Sequence, residues 1–198
     1  MRLLASAAIA ALLAAACTPA APPPATTEAP ATTTAPVDAN AITSEGWNTL
    51  RVGMTRVEVT AAVGAGNPNA VGGADPQACD LFHPANAPEG MLVMIQQAVL
   101  TSIILRNNTT LRTDRGFGVG STVAEIKAAY GASALSEPHK YVEGAEYITV
   151  WSAGAPTAST PYVPNPNARG IRYETNAQGV VTAVHAGGPS IQNVEGCS

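Results

Sequence analysis

Three cysteines and three histidines are the side chains in this 198-residue sequence best suited to chemistry. Cys17, Cys79 and Cys197 offer thiols for acylation, disulfide formation or metal binding. His83, His139 and His185 offer imidazoles for proton transfer or ligation. Their spacing decides against most of these uses. No His-x-His or His-x-x-x-His pair occurs, so each histidine reads as an ordinary strand or loop residue rather than a metal ligand. Neither Cys79 nor Cys197 has a His-bearing motif beside it, and no Gly-x-Ser-x-Gly elbow or motif-borne carboxylate pair is present. Gly116-Phe117-Gly118-Val119-Gly120-Ser121-Thr122 sets glycines ahead of a helix, where anions bind. It lacks the Gly-Lys of a phosphate loop and the dinucleotide spacing, so it reads as a turn followed by a capped helix. No catalytic residue, metal site or cofactor is expected.

Composition narrows the classes further. Hydrophobic residues make up 46%, near the globular average, whereas the charged fraction of 12% is about half the usual one. The formal charge of -4 opposes a nucleic-acid groove, which needs a basic surface. The 18 glycines and 16 prolines promise many turns.

The first element to place these residues is the amino terminus. Arg2 precedes an uncharged apolar run through Ala16, too short for a bilayer helix of roughly 20 residues but suited to the core of an export signal over 1–16. Ala14-Ala15-Ala16-Cys17 resembles a bacterial lipobox, with Ala14 where Leu is commoner. Cys17 is then the lipidated first residue of the mature chain. An ordinary signal-peptidase site, for which Ala14 and Ala16 also qualify, is the alternative. Residues 18–41 hold 8 Ala, 6 Pro and 6 Thr, so 17–41 is expected to be a lipid-bearing, disordered tether. With Cys17 acylated, Cys79 and Cys197 remain, and an exported domain is where they would pair, two free thiols being the alternative.

Two stretches of the domain match. Leu50 to Gly64 aligns with Phe117 to Gly131, Gly53 with Gly120, an offset of 67 residues. Each carries Val-Gly-x-Thr-x-x-Glu, so Thr55 with Glu58 and Thr122 with Glu125 have capping-box spacing, and Gly64 and Gly131 stand where a left-handed C-cap is wanted. Val99 to Ile103 likewise aligns with Val180 to Val184. The larger offset places an insertion near 152–170, where Pro156, Pro161, Pro164 and Pro166 interrupt regular structure. Strands are expected at Met91–Gln96, Val99–Leu105, Tyr141–Val142, Glu146–Trp151, Ile171–Thr175 and Val180–Ala186. If Thr175 opposes Val180, then Ile171, Tyr173, Thr175, Val180, Thr182 and Val184 share a core face, and Arg172, Glu174, Ala183 and His185 the wetter one. The fold class is α+β: repeat 1 over 42–115 and repeat 2 over 116–198, each a helix followed by antiparallel strands, forming one curved sheet with helices on one face.

A Val-Gly-Met-Thr-x-x-Glu-Val helix opening behind a lipobox resembles the SmpA/OmlA outer-membrane lipoprotein family. The tandem arrangement resembles the β-lactamase-inhibitor-protein-like fold. Both resemblances imply non-catalytic binding. The expected function is a lipid-anchored envelope protein, in the outer membrane facing the periplasm, acting as a protein–protein interaction module in assembly or envelope maintenance. Its partner is another envelope protein; it touches the membrane only through the lipid on Cys17, and binds no nucleic acid or small-molecule cofactor. An inhibitor of an exported β-lactamase or protease, using the 152–170 loop, is the alternative, and an unrecognised enzyme the second. Tyr147 and Trp151 alternate with core-facing Ile148 and Val150, so with Arg172 and His185 they are the candidate contact residues of an open sheet face. Trp151 covering the core edge and Tyr147 being ordinary is the other option. Tyr162, in the Pro-rich insertion, is a further candidate.

Overall fold

Thr55 and Thr122 each sit in extended backbone and start a helix, α1 (Arg56–Val63) and α2 (Val123–Tyr130). Each threonine Oγ1 accepts the N–H of the glutamate three residues on at 3.3 Å, and the Glu58 and Glu125 carboxylates accept the threonine N–H at 2.8 and 2.7 Å. Both capping boxes are complete. At 8 residues apiece the helices are too short to persist alone, so packing must hold them. Val59, Val63 and Ile126 supply it from buried positions. Gly64 and Gly131 close the helices with φ of 82° and 55°, but ψ of 164° and -130° carries the chain out of the left-handed helical region expected there.

The computed structural model describes residues 38–66, 75–153 and 162–197. The expected export signal, the Cys17 acylation site, most of the tether and residues 154–161 of the expected insertion lie outside them. Three two-residue strands, β1 (Ile42–Thr43), β2 (Gly46–Trp47) and β3 (Leu50–Arg51), form a small sheet ahead of α1. β4 (Cys79–Phe82), β5 (Met91–Gln96) and β6 (Val99–Arg106) follow α1; β7 (Leu135–Pro138), β8 (Glu146–Ala153), β9 (Arg169–Thr175) and β10 (Val181–Gly187) follow α2. These seven strands make one antiparallel sheet, ordered β4-β5-β6-β10-β9-β8-β7. The class is α+β, as expected.

Each helix is tied to the sheet by the same bonds. Gly53 N–H donates to Leu100 O and Leu100 N–H to Met54 O at 2.8 and 2.7 Å; Gly120 and Val181, then Val181 and Ser121, do the same at 2.9 and 2.8 Å. Arg56 N–H donates to Ala98 O, and Val123 N–H to Gly179 O. One sheet face, with Met91, Val93, Leu100, Ile103, Leu105, Ile148, Tyr173 and Val184, packs on the helices as the core. Phe117, Tyr130 and Tyr173 meet there with ring centroids 5.8 to 6.5 Å apart.

Chain leaving β10 turns back across the other face. Gly187, at φ 148°, passes so close to the Thr101 and Ser102 backbone that a Cβ would collide. A 3-10 turn over Pro189–Gln192 then packs on β6, β9 and β10, and residues 193–197 run past Leu81 and Met94 to Cys79. This C-terminal strap, residues 188–197, was not anticipated.

Four further expectations are corrected. Residues 38–41 belong to the folded unit rather than the tether, because the Trp47 indole N–H donates to Asn40 O and Ala41 is buried. A second, three-stranded sheet stands beside the one sheet expected, its two-residue strands too short to show alternation. Tyr141–Val142 is loop, the fourth strand of that half being Leu135–Pro138. Thr175 opposes Val181 rather than Val180, and a bulge between Val181 and Ala183 turns Thr182 out to solvent, so Val181, not Thr182, joins Tyr173 and Val184 in the core.

Candidate functional site

Alternation in β9 and β10 places Arg172, Glu174 and His185 on the sheet face away from the helices, His185 directly opposite Arg172. Tyr147 joins them from β8, where it pairs with Glu174. The loop after β7 then folds back and adds His139. Its Nε2 lies 3.3 Å from Glu174 Oε1, while His185 Nε2 lies 3.3 Å from Glu174 Oε2. Arg106 Nη2 approaches the same carboxylate at 3.7 Å. The His139 ring stacks on Tyr147 at 4.4 Å, the Arg172 guanidinium sits 3.9 Å from the Tyr147 ring centre, and Arg172 Nη2 reaches Glu137 at 3.6 Å.

Hydrogen bonding sets the protonation of this cluster. His139 Nδ1 accepts the backbone N–H groups of Tyr141 and Val142, each at 3.1 Å. The neutral ring therefore carries its hydrogen on Nε2 and donates it to Glu174. Bonds from His185 and His139 outweigh burial at Glu174 and hold its carboxyl down at about 2. Burial is the largest influence on His185 and pushes the imidazole down, against the pull of Glu174. Glu174 is thus an anion between two neutral N–H donors. That arrangement suits neither metal nor acid–base work: His139 has no free ring lone pair to offer, and Glu174 binds protons far too weakly to act as a base near neutrality. Among the described residues no group of three or more His, Cys, Asp or Glu is placed to hold a metal.

The expected contact residues separate here. Tyr147 (4% exposed), Arg172 (4%) and His185 (7%) are buried, which overturns the reading of an open face. Strand register put them on the correct side, but the loop after β7 and the strap cover that side. Trp151 is half-buried, lying over Gly170, where any Cβ would strike the indole at 2.7 Å. Tyr162 is 52% exposed. His139 and His185, expected to stand alone, converge on Glu174, while His83 stays apart with Nδ1 2.8 Å from Met91 O. Glu174, Glu137 and His139 were missed as cluster members. The register already grouped Glu174 with His185, but the return of a loop leaves no periodic trace. Amides of the glycine-rich turn are spent on the chain itself, Gly118 N–H on Ser121 Oγ and Gly120 N–H on Val181 O, so that segment is a turn and not an anion cradle.

Open clefts lie on both sides of the sheet, two of them beside expected contact residues. One, of about 580 Å3, runs between the β5–β6 turn and the strap, with Tyr162, Pro164, Pro166 and Arg169 along its wall. The other, about 330 Å3, lies by the end of α2 between Tyr130, Arg115, Trp151 and Ser152. Cys79 and Cys197 are joined, with Cα atoms 5.4 Å apart. No helix among the described residues is long and apolar enough to cross a membrane. Compared with known proteins, the chain matches no protein-family model, no curated protein and no solved structure.

Proposed function

We propose that this chain is a lipid-anchored protein of the bacterial cell envelope, its folded unit a non-catalytic protein–protein interaction module. The observation that carries the reading is the Cys79–Cys197 bridge, a bond that persists in oxidising compartments, in a chain that opens on an export-like run ending at Cys17. Acylation at Cys17 and a Pro/Thr/Ala tether give the domain reach from a membrane surface. Thr18 after Cys17 favours the outer membrane, since the Asp that commonly retains lipoproteins in the inner membrane is absent.

Within the domain we read residues 42–115 and 116–198 as two copies of one helix-then-sheet unit. Matched bonds at Gly53 and Gly120, and at Leu100 and Val181, support this, and the β6–β10 pair is where the two halves of the sheet meet. The resemblance to the SmpA/OmlA family and the β-lactamase-inhibitor-protein-like fold is part of the same proposal and rests on the sequence motifs alone. The binding surface is better sought at the two clefts than on the strap-covered face, because Tyr162 and Trp151 remain accessible. Photo-crosslinkers placed at each in intact cells should capture one envelope protein; capture of none from either position rejects the module reading. Cys17→Ser should move the protein from the membrane to the soluble fraction. Exposed Tyr162, in the connection between β8 and β9, keeps enzyme inhibition as a second reading, tested by titrating the purified chain against exported serine hydrolases.

A further inference from the structure

The larger cleft is lined by unspent amides and a single cation. Gln96 and Gln97 stand on its β5–β6 side, Ser190 and Asn193 belong to the strap, and Tyr162 and Arg169 come from the β8–β9 connection and the start of β9. Arg169 is the one charged side chain among the described residues lining it. Its Nη1 donates to Pro166 O and Ala168 O and its Nε lies 3.3 Å from Glu45 Oε2, but Nη2 has no partner among the described residues. Gln96 Oε1 accepts the Thr101 hydroxyl at 3.2 Å, which leaves the NH2 group of that amide. The Gln97 and Asn193 side chains make no hydrogen bond among the described residues. We propose that this cleft binds a short stretch of carboxylate-bearing glycan, its hydroxyls taken by the three amides, one sugar face laid on Tyr162 and its carboxylate held by Arg169.

Chemistry selects the ligand class. An amide offers a donor and an acceptor side by side, which matches adjacent sugar hydroxyls, and an aromatic ring offers an apolar face to the C–H side of a sugar. An extended peptide would draw instead on an open strand edge, yet β5, β6 and β9 beside the cleft are each paired on both sides. Nucleic acid needs several cations and a cationic ligand needs carboxylates; the described lining has one cation and no carboxylate. At about 580 Å3 the cleft falls within the size of ligand sites, about 300 to 1,000 Å3. Two further observations point to an occupant. Ser190 is 8% exposed and its Oγ has no hydrogen-bond partner among the described residues, whereas buried hydroxyls are normally paired. Gln97 and Ala98 both hold positive φ, 49° and 68°, in a turn that Asn-Gly would make more cheaply, and the glutamine there sets an amide beside the cleft. A protein partner at Trp151 uses the other cleft, so glycan here neither requires nor excludes the interaction module.

Titration of the full chain with soluble saccharides, read by 1H–15N shifts and calorimetry, tests the site. The N-acetylglucosamine–N-acetylmuramic acid disaccharide carries the carboxylate of a wall glycan, and trigalacturonate that of an exported acidic polysaccharide. Diacetylchitobiose shares the N-acetyl groups of the first and carries no carboxylate. At least one of the two acids should shift the amides of Gln96, Gln97, Arg169 and Asn193, the tighter of them naming the source. Diacetylchitobiose should bind at least about ten-fold more weakly, the worth of one hydrogen bond between charged groups. Glycine suits the positive φ, so Gln97→Gly should keep or raise the melting temperature while weakening the acidic saccharide about five-fold. Tyr162→Ala, at an exposed position, should weaken it by a similar factor and leave the melting temperature unchanged. No binding of either acid up to millimolar concentration, shifts confined to the Trp151 cleft, equal affinity for acidic and neutral saccharides, or unchanged affinity in both variants overturns the proposal. So does a protein captured by a crosslinker at Tyr162 that saturating saccharide fails to displace.

Discussion

The two faces of the seven-stranded sheet are covered in opposite ways. Helices cover one with interlocking apolar side chains, among them Val59, Ile126, Ile103 and Ile148, all nearly inaccessible. A strap and a loop cover the other, and beneath them lie Glu174, His139, His185, Arg172 and Tyr147. Apolar burial is non-directional and tolerates no vacancy, whereas a polar layer depends on who donates to whom. The first face fixes the fold by packing, and the second is held by hydrogen bonds and ion pairs whose partners must match.

The comparison is sharpest where the penalties are largest. Ile148→Ala leaves a cavity in the helix-covered core and should lower stability by about 4 kcal/mol in urea unfolding, at the upper end for buried aliphatics. Cys197→Ser opens a bridge closing 118 residues, worth on the order of 3 to 4 kcal/mol, and should lower the melting temperature while leaving the circular dichroism spectrum unchanged. A stability loss equal to that of Ile148→Ala combined with lost helix signal would mean that the strap shapes the fold itself.

Acid should act on the polar face first. Glu174 and His185 both have folded values held below their ordinary 4.5 and 6.5, so the unfolded chain binds the proton more readily and stability falls as pH falls. Loss begins below about 6.5 through His185 and continues from 4.5 towards about 2 through Glu174. Glu174→Gln should flatten the second limb of a stability–pH curve; an unchanged limb would remove Glu174 from the account.

Thr55→Ala and Thr122→Ala should each cost about 1 kcal/mol, the usual worth of an N-cap, because their bonds agree to within about 0.1 Å. Markedly unequal losses would weaken the case for equivalent helices. The smallest effect is expected at Arg172→Met. Its partner Glu137 is half in solvent and can rehydrate, its Nη1 bond to Ile191 O is long at 3.5 Å, and a methionine can keep contact with the Tyr147 ring, so the change should cost about 1 kcal/mol. A loss above about 3 kcal/mol would place the polar face among the determinants of the fold.

What could be read from the sequence follows the same division. Capping boxes at Thr55 and Thr122 are local spacings, and so are the β5–β6 and β9–β10 hairpins; these were legible before any coordinates. The pairing of Cys79 with Cys197 followed from export and a count of thiols. The 139–145 loop and the strap were not legible, because their positions rest on long-range contacts without sequence periodicity, such as His139 with Glu174 and Gln192 with Val163. Without them the register of β9 and β10 correctly grouped Arg172, Glu174 and His185, yet left that face looking open. The bulge at Thr182 was hidden for a similar reason, since alternation alone carries no mark of an inserted residue.

The Cys79–Cys197 bridge also sets how the domain would carry tension. A pull between the amino-terminal side and the last residue passes along residues 38–79, crosses the bridge and leaves at Cys197. Everything from Asp80 to Gly196 stays out of the load path, a shielded length of roughly 400 Å at about 3.4 Å per extended residue. In single-molecule stretching the oxidised domain should yield only roughly 140 Å before the force rises on a taut covalent chain, and reduction should release the remainder. The strands from Asp80 onward are then isolated from tension applied between residue 38 and Cys197.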